Sequence, residues 1–507
     1  MVGAALLACL LGLAAAGLST TGVVLVAVLG LVALAVLLFR RSLRPGVTSA
    51  LSGVRPQQVE IADTSGTNDG SERDRLFRIP RLLFYLGALT LTEASWRPAA
   101  GLTVSEVFFI LSFFGTVAAV LAGRPMARVP NALIVGVAIF AVGAMASSIG
   151  AANVQGSVAQ TFQGIYVLLL WVWTGATVLR TRSQIIVALT CWTISSAFDG
   201  FAAVLQVAHI SALGGPLEGN RATGLTDHPN DLGAASAIAL VPALMLATSR
   251  LPGRRGGGLM PLFRWGLLAL TAAGVVFSAS VSAMFACLIA ILIWLAAPAV
   301  RAPGRLAVVA ALALSLIGLT LAGGTITSPT TRLQEVTTTD ASTSSGSGGI
   351  RLKTVEQAWP RIESNPIVGK GLDTIGSSVY VINQGNSVPL QVHGAPVSIW
   401  YQAGFLGLIG VVIVVWGFLA GAWRSLLSPG DQADVVIGLS IFAAFIAFLV
   451  YAMTAPFVLQ QYGWFAGVML LAWRLRRDAV SELIVPSSMP RADVPSFAPS
   501  VPALPSG

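Results

Sequence analysis

The chain has 507 residues, of which 55% are hydrophobic and only 10% charged, with a formal net charge of +9. A soluble globular protein carries about a quarter charged residues, so an aqueous fold around one core is excluded, as are a coiled coil, a disordered chain and a secreted disulfide scaffold. Cys9, Cys191 and Cys287 all lie in apolar runs, where a thiol behaves as a small hydrophobe, and they point to neither a disulfide nor a metal site.

The apolar residues come in runs near the ~20-residue length that crosses ~30 Å of hydrocarbon as a helix. In chain order the runs are 3–18, 22–39, 81–95, 103–122, 130–149, 160–178, 184–206, 230–248, 261–277, 281–298, 306–322, 397–420, 434–454 and 460–473. They predict an all-α transmembrane bundle of about 14 helices, within a range of 12–14, since the first two runs are separated only by Ser19-Thr-Thr-Gly22. Leu6-Leu-Ala-Cys9 lacks the preceding basic segment of a removable signal, so the start is read as a membrane helix. The predicted organisation is an N-terminal helix pair (1–40), a cytoplasmic linker (41–80), a transmembrane bundle (81–322), a large extracytoplasmic loop (323–396), C-terminal transmembrane helices (397–474) and a Pro/Ser/Ala-rich cytoplasmic tail (475–507) that reads as disordered.

Basic residues orient this array. With the N-terminus cytoplasmic, 23 of the 30 Lys and Arg fall in inside segments, and the remaining seven are Arg97, Arg221, Arg332, Arg351, Lys353, Arg361 and Lys370. Five of those seven lie in 323–396, and long loops escape the positive-inside rule. The positive charge is therefore a topology signal and not a nucleic-acid footprint. Both termini are expected inside a plasma (inner) membrane, with 323–396 outside. A long outer loop containing its own helix-like piece, 350–363, is where a membrane protein would handle a water-soluble group.

Three outer segments could carry chemistry. In Gly219-Asn-Arg-Ala-Thr-Gly-Leu-Thr-Asp-His-Pro-Asn-Asp231, a guanidinium beside two glycines suits an anion clamp, and a snorkelling interfacial Arg is the structural alternative. Arg351 leads a cationic set with Lys353, Arg361 and Lys370, and Arg351, Thr354 and Val355 would share one side of a short helix. A solvated face or a lipid-headgroup contact would explain the same charges. His393 precedes a membrane helix and is one of only three histidines, with His209 and His228. Imidazole is the usual base near neutral pH, although a lone interfacial histidine is more often structural.

Taken together, Arg221-Ala-Thr-Gly with His228-Pro-Asn230, Arg351 leading to Asn365-Pro-Ile-Val-Gly-Lys-Gly371, and His393 followed at fixed spacing by Gly404-Phe-Leu-Gly407 resemble the O-antigen ligase and polysaccharide polymerase family of polytopic membrane glycosyltransferases. The chain departs from that pattern at Gly394 after the histidine, at Gln402, and at Val281 in Ser278-Ala-Ser-Val-Ser282. The resemblance implies glycan transfer from a polyprenyl diphosphate-linked donor to a glycan or glycolipid hydroxyl on the outer face, beside membrane lipids. It implies no metal, no other cofactor and no nucleic acid. It implies catalytic roles for His393, Arg221 and Arg351, with His228, Asn230 and Lys370 as substrate contacts. Trp400, with Tyr401, could stack on sugar or line a lipid groove, although an interfacial aromatic belt is the commoner explanation of such residues. The alternative from another class is a transporter or flippase for a lipid-linked glycan, suggested by Asp199 and Glu93 inside apolar runs. Ligase and polymerase share these motifs.

Overall fold

The computed structural model describes residues 68–93, 102–210, 217–248, 259–296, 347–373, 377–383, 386–428, 431–456 and 461–484. The predicted helices at 3–18, 22–39 and 306–322 lie outside them. The remaining eleven runs all form helices. These are α1 (Asn68–Leu89), α2 (Val104–Leu121), α3 (Asn131–Ile149), α4 (Val154–Val178), α5 (Arg182–Val207), α6 (Pro229–Thr248), α7 (Leu259–Phe277) and α8 (Val281–Ala296). Further along the chain come α10 (Ala395–Leu427), α11 (Gln432–Ala452) and α12 (Gln461–Ile484). Eight helices among the described residues are long and apolar enough to cross a membrane. α1 starts at Asn68, inside the stretch read as linker, and α12 continues to Ile484, past the apolar run.

Local chemistry sets several boundaries. Thr103 and Glu106 form a reciprocal capping box at the start of α2, and Thr181 and Gln184 do the same for α5. α4 contains one π-helical turn, Tyr166–Leu170. Phe465 of α12 knits the bundle together, lying within 5.2–6.2 Å of the rings of Phe84, Phe109, Trp171 and Trp192 from four other helices. Edge-on and tilted ring pairs of this kind add specificity to plain area burial.

The segment before α10 is built, not merely polar. It contains the predicted helix, α9 (Ser347–Ser364), and an antiparallel hairpin of β1 (Val379–Asn383) and β2 (Asn386–Leu390) with Val381 opposite Val388. Val379 and Val381 are buried with Ala358, Ile362 and Val392 under α9. Between α9 and the hairpin, the strap Asn365–Gly371 wedges into a break in α10. Lys370 and Gly371 donate their N–H groups to the Tyr401 and Gln402 carbonyls (both 2.8 Å), and Phe405 N–H donates to Pro366 O (3.0 Å). The break is at Gly404, with φ 71° and ψ −178°, a backbone state essentially reserved for glycine. A Cβ there would collide with the Ile367 carbonyl.

Beyond the break, α10 makes its closest partnership with α3. A Cβ on Gly136 or Gly143 of α3 would strike the backbone of Gly410 or Gly407 of α10, and one on Gly410 the backbone of Gly136 and Phe140, while at Gly407 it would meet Ala403 of its own helix. Small residues permit this approach between membrane helices. The glycines of Asn365–Gly371 and Gly404-Phe-Leu-Gly407 are thus explained by packing: they fix α9, the strap and His393 relative to the bundle.

Candidate functional site

The site forms where the loops between α5 and α6, and between α7 and α8, meet α9 and the start of α10. Arg221 is buried, at 8% exposure. Its Nε donates to Ser278 O (2.8 Å) and its Nη2 to Asn230 Oδ1 (2.7 Å). Its backbone is pinned on both sides. Arg221 and Glu218 exchange N–H···O bonds, and Ala222 N–H donates to Phe277 O at the end of α7.

Ser278–Ser282 is the turn into α8, and Ala279 within it has φ +47°. A non-glycine residue in the left-handed region is strained, and such strain clusters at functional sites. The turn gives a main-chain carbonyl to Arg221 at one end and, at the other, the Ser282 hydroxyl to Arg351 Nη1 (3.1 Å). Two guanidinium groups from segments 130 residues apart are therefore tied to one five-residue turn.

His393 is held against α9 one turn after Arg351. Its N–H donates to Thr354 Oγ1 (3.0 Å), and the Thr354 hydroxyl donates to Arg351 O (2.7 Å). The ring Nδ1 lies 3.0 Å from Gln391 O and 3.4 Å from Thr354 Oγ1. A carbonyl can only accept, so Nδ1 carries the proton and Nε2 presents its lone pair. Burial, reinforced by the Arg351 charge, lowers the imidazole pKa to about 4. The ring is consequently neutral at physiological pH and able to accept a proton.

Tyr451, buried at the end of α11, lies within electrostatic range of Asp231, Arg351 and Arg221. It also lines a groove of about 320 Å³ between α10 and α11, with Ala395, Pro396, Ile399, Val412 and Trp416 among the other walls. Val412, Trp416 and Met453 are more than half exposed there, so the groove opens sideways from the bundle.

The other sequence-predicted residues divide. Asn230 belongs to the site through Arg221. His228 supports it from outside: its Nδ1 accepts from Asn230 N–H (3.1 Å), and its Nε2 lies 3.6 Å from Glu218 Oε1. Lys370 and Trp400 stand on the strap side. The Lys370 ammonium has no hydrogen-bond or ion-pair partner among the described residues. Trp400 donates Nε1–H to Pro366 O (2.8 Å) and packs against Trp359 and Phe405. No hydrogen bond among the described residues joins either side chain to the Arg221–Arg351–His393 group. Sequence reasoning missed Ser282 and Tyr451 as site components. Helical spacing alone places Thr354 on the side of α9 that bears Arg351.

The described residues thus form a helical bundle, eight of whose helices are long and apolar enough to cross a membrane, with two arginines and a neutral histidine brought close together. Residues 266–412 match the family model described as O-antigen ligase. The matched stretch spans the strained turn, Arg351, His393 and the Gly404–Gly407 break, and it begins after Arg221. No curated protein matches the chain.

Proposed function

We propose that the protein transfers a glycan from a polyprenyl diphosphate carrier to a sugar hydroxyl on the outer face of the plasma membrane. The observation that carries this reading is the shared turn: Arg221 and Arg351 are fixed to opposite ends of Ser278–Ser282, with the His393 ring one helical turn beyond. Two guanidinium groups held this way match the oxygens of a diphosphate and supply its countercharge. His393 Nε2 takes the proton of the acceptor hydroxyl as its oxygen attacks the anomeric carbon. The bond from that carbon to the phosphate oxygen breaks, and the diphosphate leaves with the electron pair, stabilised by both arginines. The apolar groove beside Tyr451 suits the isoprenoid chain, which would approach from the bilayer. Lys370 and Trp400, on the strap side, would meet the glycan more distantly.

The decisive test of the clamp uses purified protein in lipid vesicles with a polyprenyl diphosphate-linked oligosaccharide. Arg221→Ala is expected to lower turnover by roughly 10²–10³-fold, the loss typical of a removed oxyanion donor. Arg221→Lys should recover only part of it, because an ammonium keeps the charge but lacks the planar two-donor fork. Wild-type turnover in Arg221→Ala would remove the diphosphate clamp.

The outer-face assignment is tested separately. Reporter fusions after residues 345 and 480 should read outside and inside respectively, as the distribution of Lys and Arg requires. A reversed pair would put the site on the wrong side for an extracytoplasmic acceptor.

A further inference from the structure

α5 takes no direct part in the site, yet it carries two buried polar side chains aimed at the loop that bears Arg221. Asp199 and Gln206 are seven residues apart, two helical turns, and so share one face; they are 0% and 4% exposed. The Gln206 amide is saturated by a single stretch of backbone. Its Oε1 accepts the N–H groups of Thr223 and Gly224, both at 2.9 Å. Its Nε2 donates to Thr223 Oγ1 (3.0 Å) and Gly224 O (3.3 Å). Asp199 Oδ1 accepts the next N–H, that of Leu225, at 2.6 Å.

Three consecutive main-chain donors, beginning two residues after Arg221, are therefore captured by side chains of one helix. Gly224 completes the fit: its φ is +60°, and a Cβ there would run into the Asp199 carboxylate. An ordinary loop would spend these donors on water or on its own carbonyls. Here the helix holds the backbone conformation of the residues that follow Arg221.

We infer that Gln206 and Asp199 are positioning residues that hold Arg221 in register with the Ser278–Ser282 turn. This rests on the proposed role of Arg221 as a diphosphate ligand. It also gives Asp199 a purpose other than ion or proton carriage: what the loop uses is an acceptor oxygen, and Oδ2 has no hydrogen-bond partner among the described residues.

The test is a double-mutant cycle on the full-length protein in vesicles, with the polyprenyl diphosphate-linked oligosaccharide as donor. Gln206→Leu and Asp199→Leu are each expected to lower kcat by roughly 10–100-fold, as misplacement of a binding group by about 1 Å does, with the KM for acceptor unchanged. In an Arg221→Ala background the same substitutions should cost less than about threefold, since the group they position is gone. Asp199→Asn, which keeps an acceptor oxygen, should stay within about threefold of wild type. If Gln206→Leu does not accumulate folded, Gln206→Glu, which keeps the acceptor but loses both donations, takes its place under the same criteria. Full additivity with Arg221→Ala, wild-type kcat in the Leu variants, or equal losses in Asp199→Asn and Asp199→Leu would each overturn the inference. Wild-type activity in Arg221→Ala alone would instead overturn the diphosphate reading, and this proposal with it.

Discussion

Replacing His393 with alanine is expected to lower glycan transfer by roughly 10²–10⁴-fold, the usual contribution of a positioned general base, while leaving the protein inserted and folded. The ring is only partly buried at a helix entrance, so its loss opens no large cavity. The pH profile is the sharper measurement. With a pKa of about 4, the base stays deprotonated far below the ordinary imidazole value of about 6.5. The acid limb of kcat/KM, which reports the free enzyme, should fall near pH 4. The limb of kcat should lie higher, because a bound diphosphate offsets the Arg351 charge that helps depress the ring. A kcat/KM limb at 6.5 would overturn the depression of the ring, and full activity in His393→Ala would remove the histidine from the mechanism.

The same depression has a consequence for stability. Between the folded value of about 4 and the unfolded value of about 6.5, the unfolded chain binds more protons. The stabilising contribution is complete above about 6.5 and is lost as pH falls toward 4. His393→Ala should flatten that part of the stability curve.

Gly404→Ala is expected to be the most damaging single-methyl change in the molecule. The backbone at φ 71° and ψ −178° costs a side-chain-bearing residue about 1–3 kcal/mol, and the added methyl would also strike the Ile367 carbonyl. Relief requires expelling the strap, which would break the bonds from Lys370, Gly371 and Phe405 and free α9 from its anchor. Thermal unfolding in detergent should show a large drop in midpoint together with loss of transfer. Gly266→Ala is the control: it lies inside α7 with nothing near its added Cβ, and should be neutral or stabilising by up to about 1 kcal/mol. Equal behaviour of the two variants would dismiss the wedge as a determinant of the fold.

The helices were legible because hydrocarbon thickness imposes a length that apolar runs must meet; each described run forms a helix, although α1 begins 13 residues before its run and α12 ends 11 residues after its own. α9 was legible as a helix-like piece at 350–363. The hairpin was not read, although Val379 and Val381 alternate with exposed Tyr380 ahead of Gln384-Gly-Asn386, a usable strand-and-turn signal. Arg221, Arg351 and His393 were found through their resemblance to a family, but no pattern in the letters says that one strained turn ties both arginines. Asp199 was noticed for the cost of burying a carboxyl in a membrane. Its bond to Leu225 depends on the path of a loop 26 residues later, which periodicity does not encode. Gln206, an unremarked amide near the end of a span, makes more bonds to the site loop than any residue the sequence singled out.

The glycine seam between α3 and α10 bears on how the protein is made. The two helices are separated by about 250 residues of chain, so α3 must wait in the membrane through the synthesis of everything up to α10 before its partner exists. During that interval Gly136 and Gly143 present a notch of bare backbone. The strap, emerging before α10, likewise has nowhere to seat until Gly404 has been translated and inserted. Arg351 stands on α9 and His393 just ahead of α10, so the two meet only once this part of the chain has been made. Under the function proposed above, the site is thereby kept from meeting lipid-linked substrate half-built.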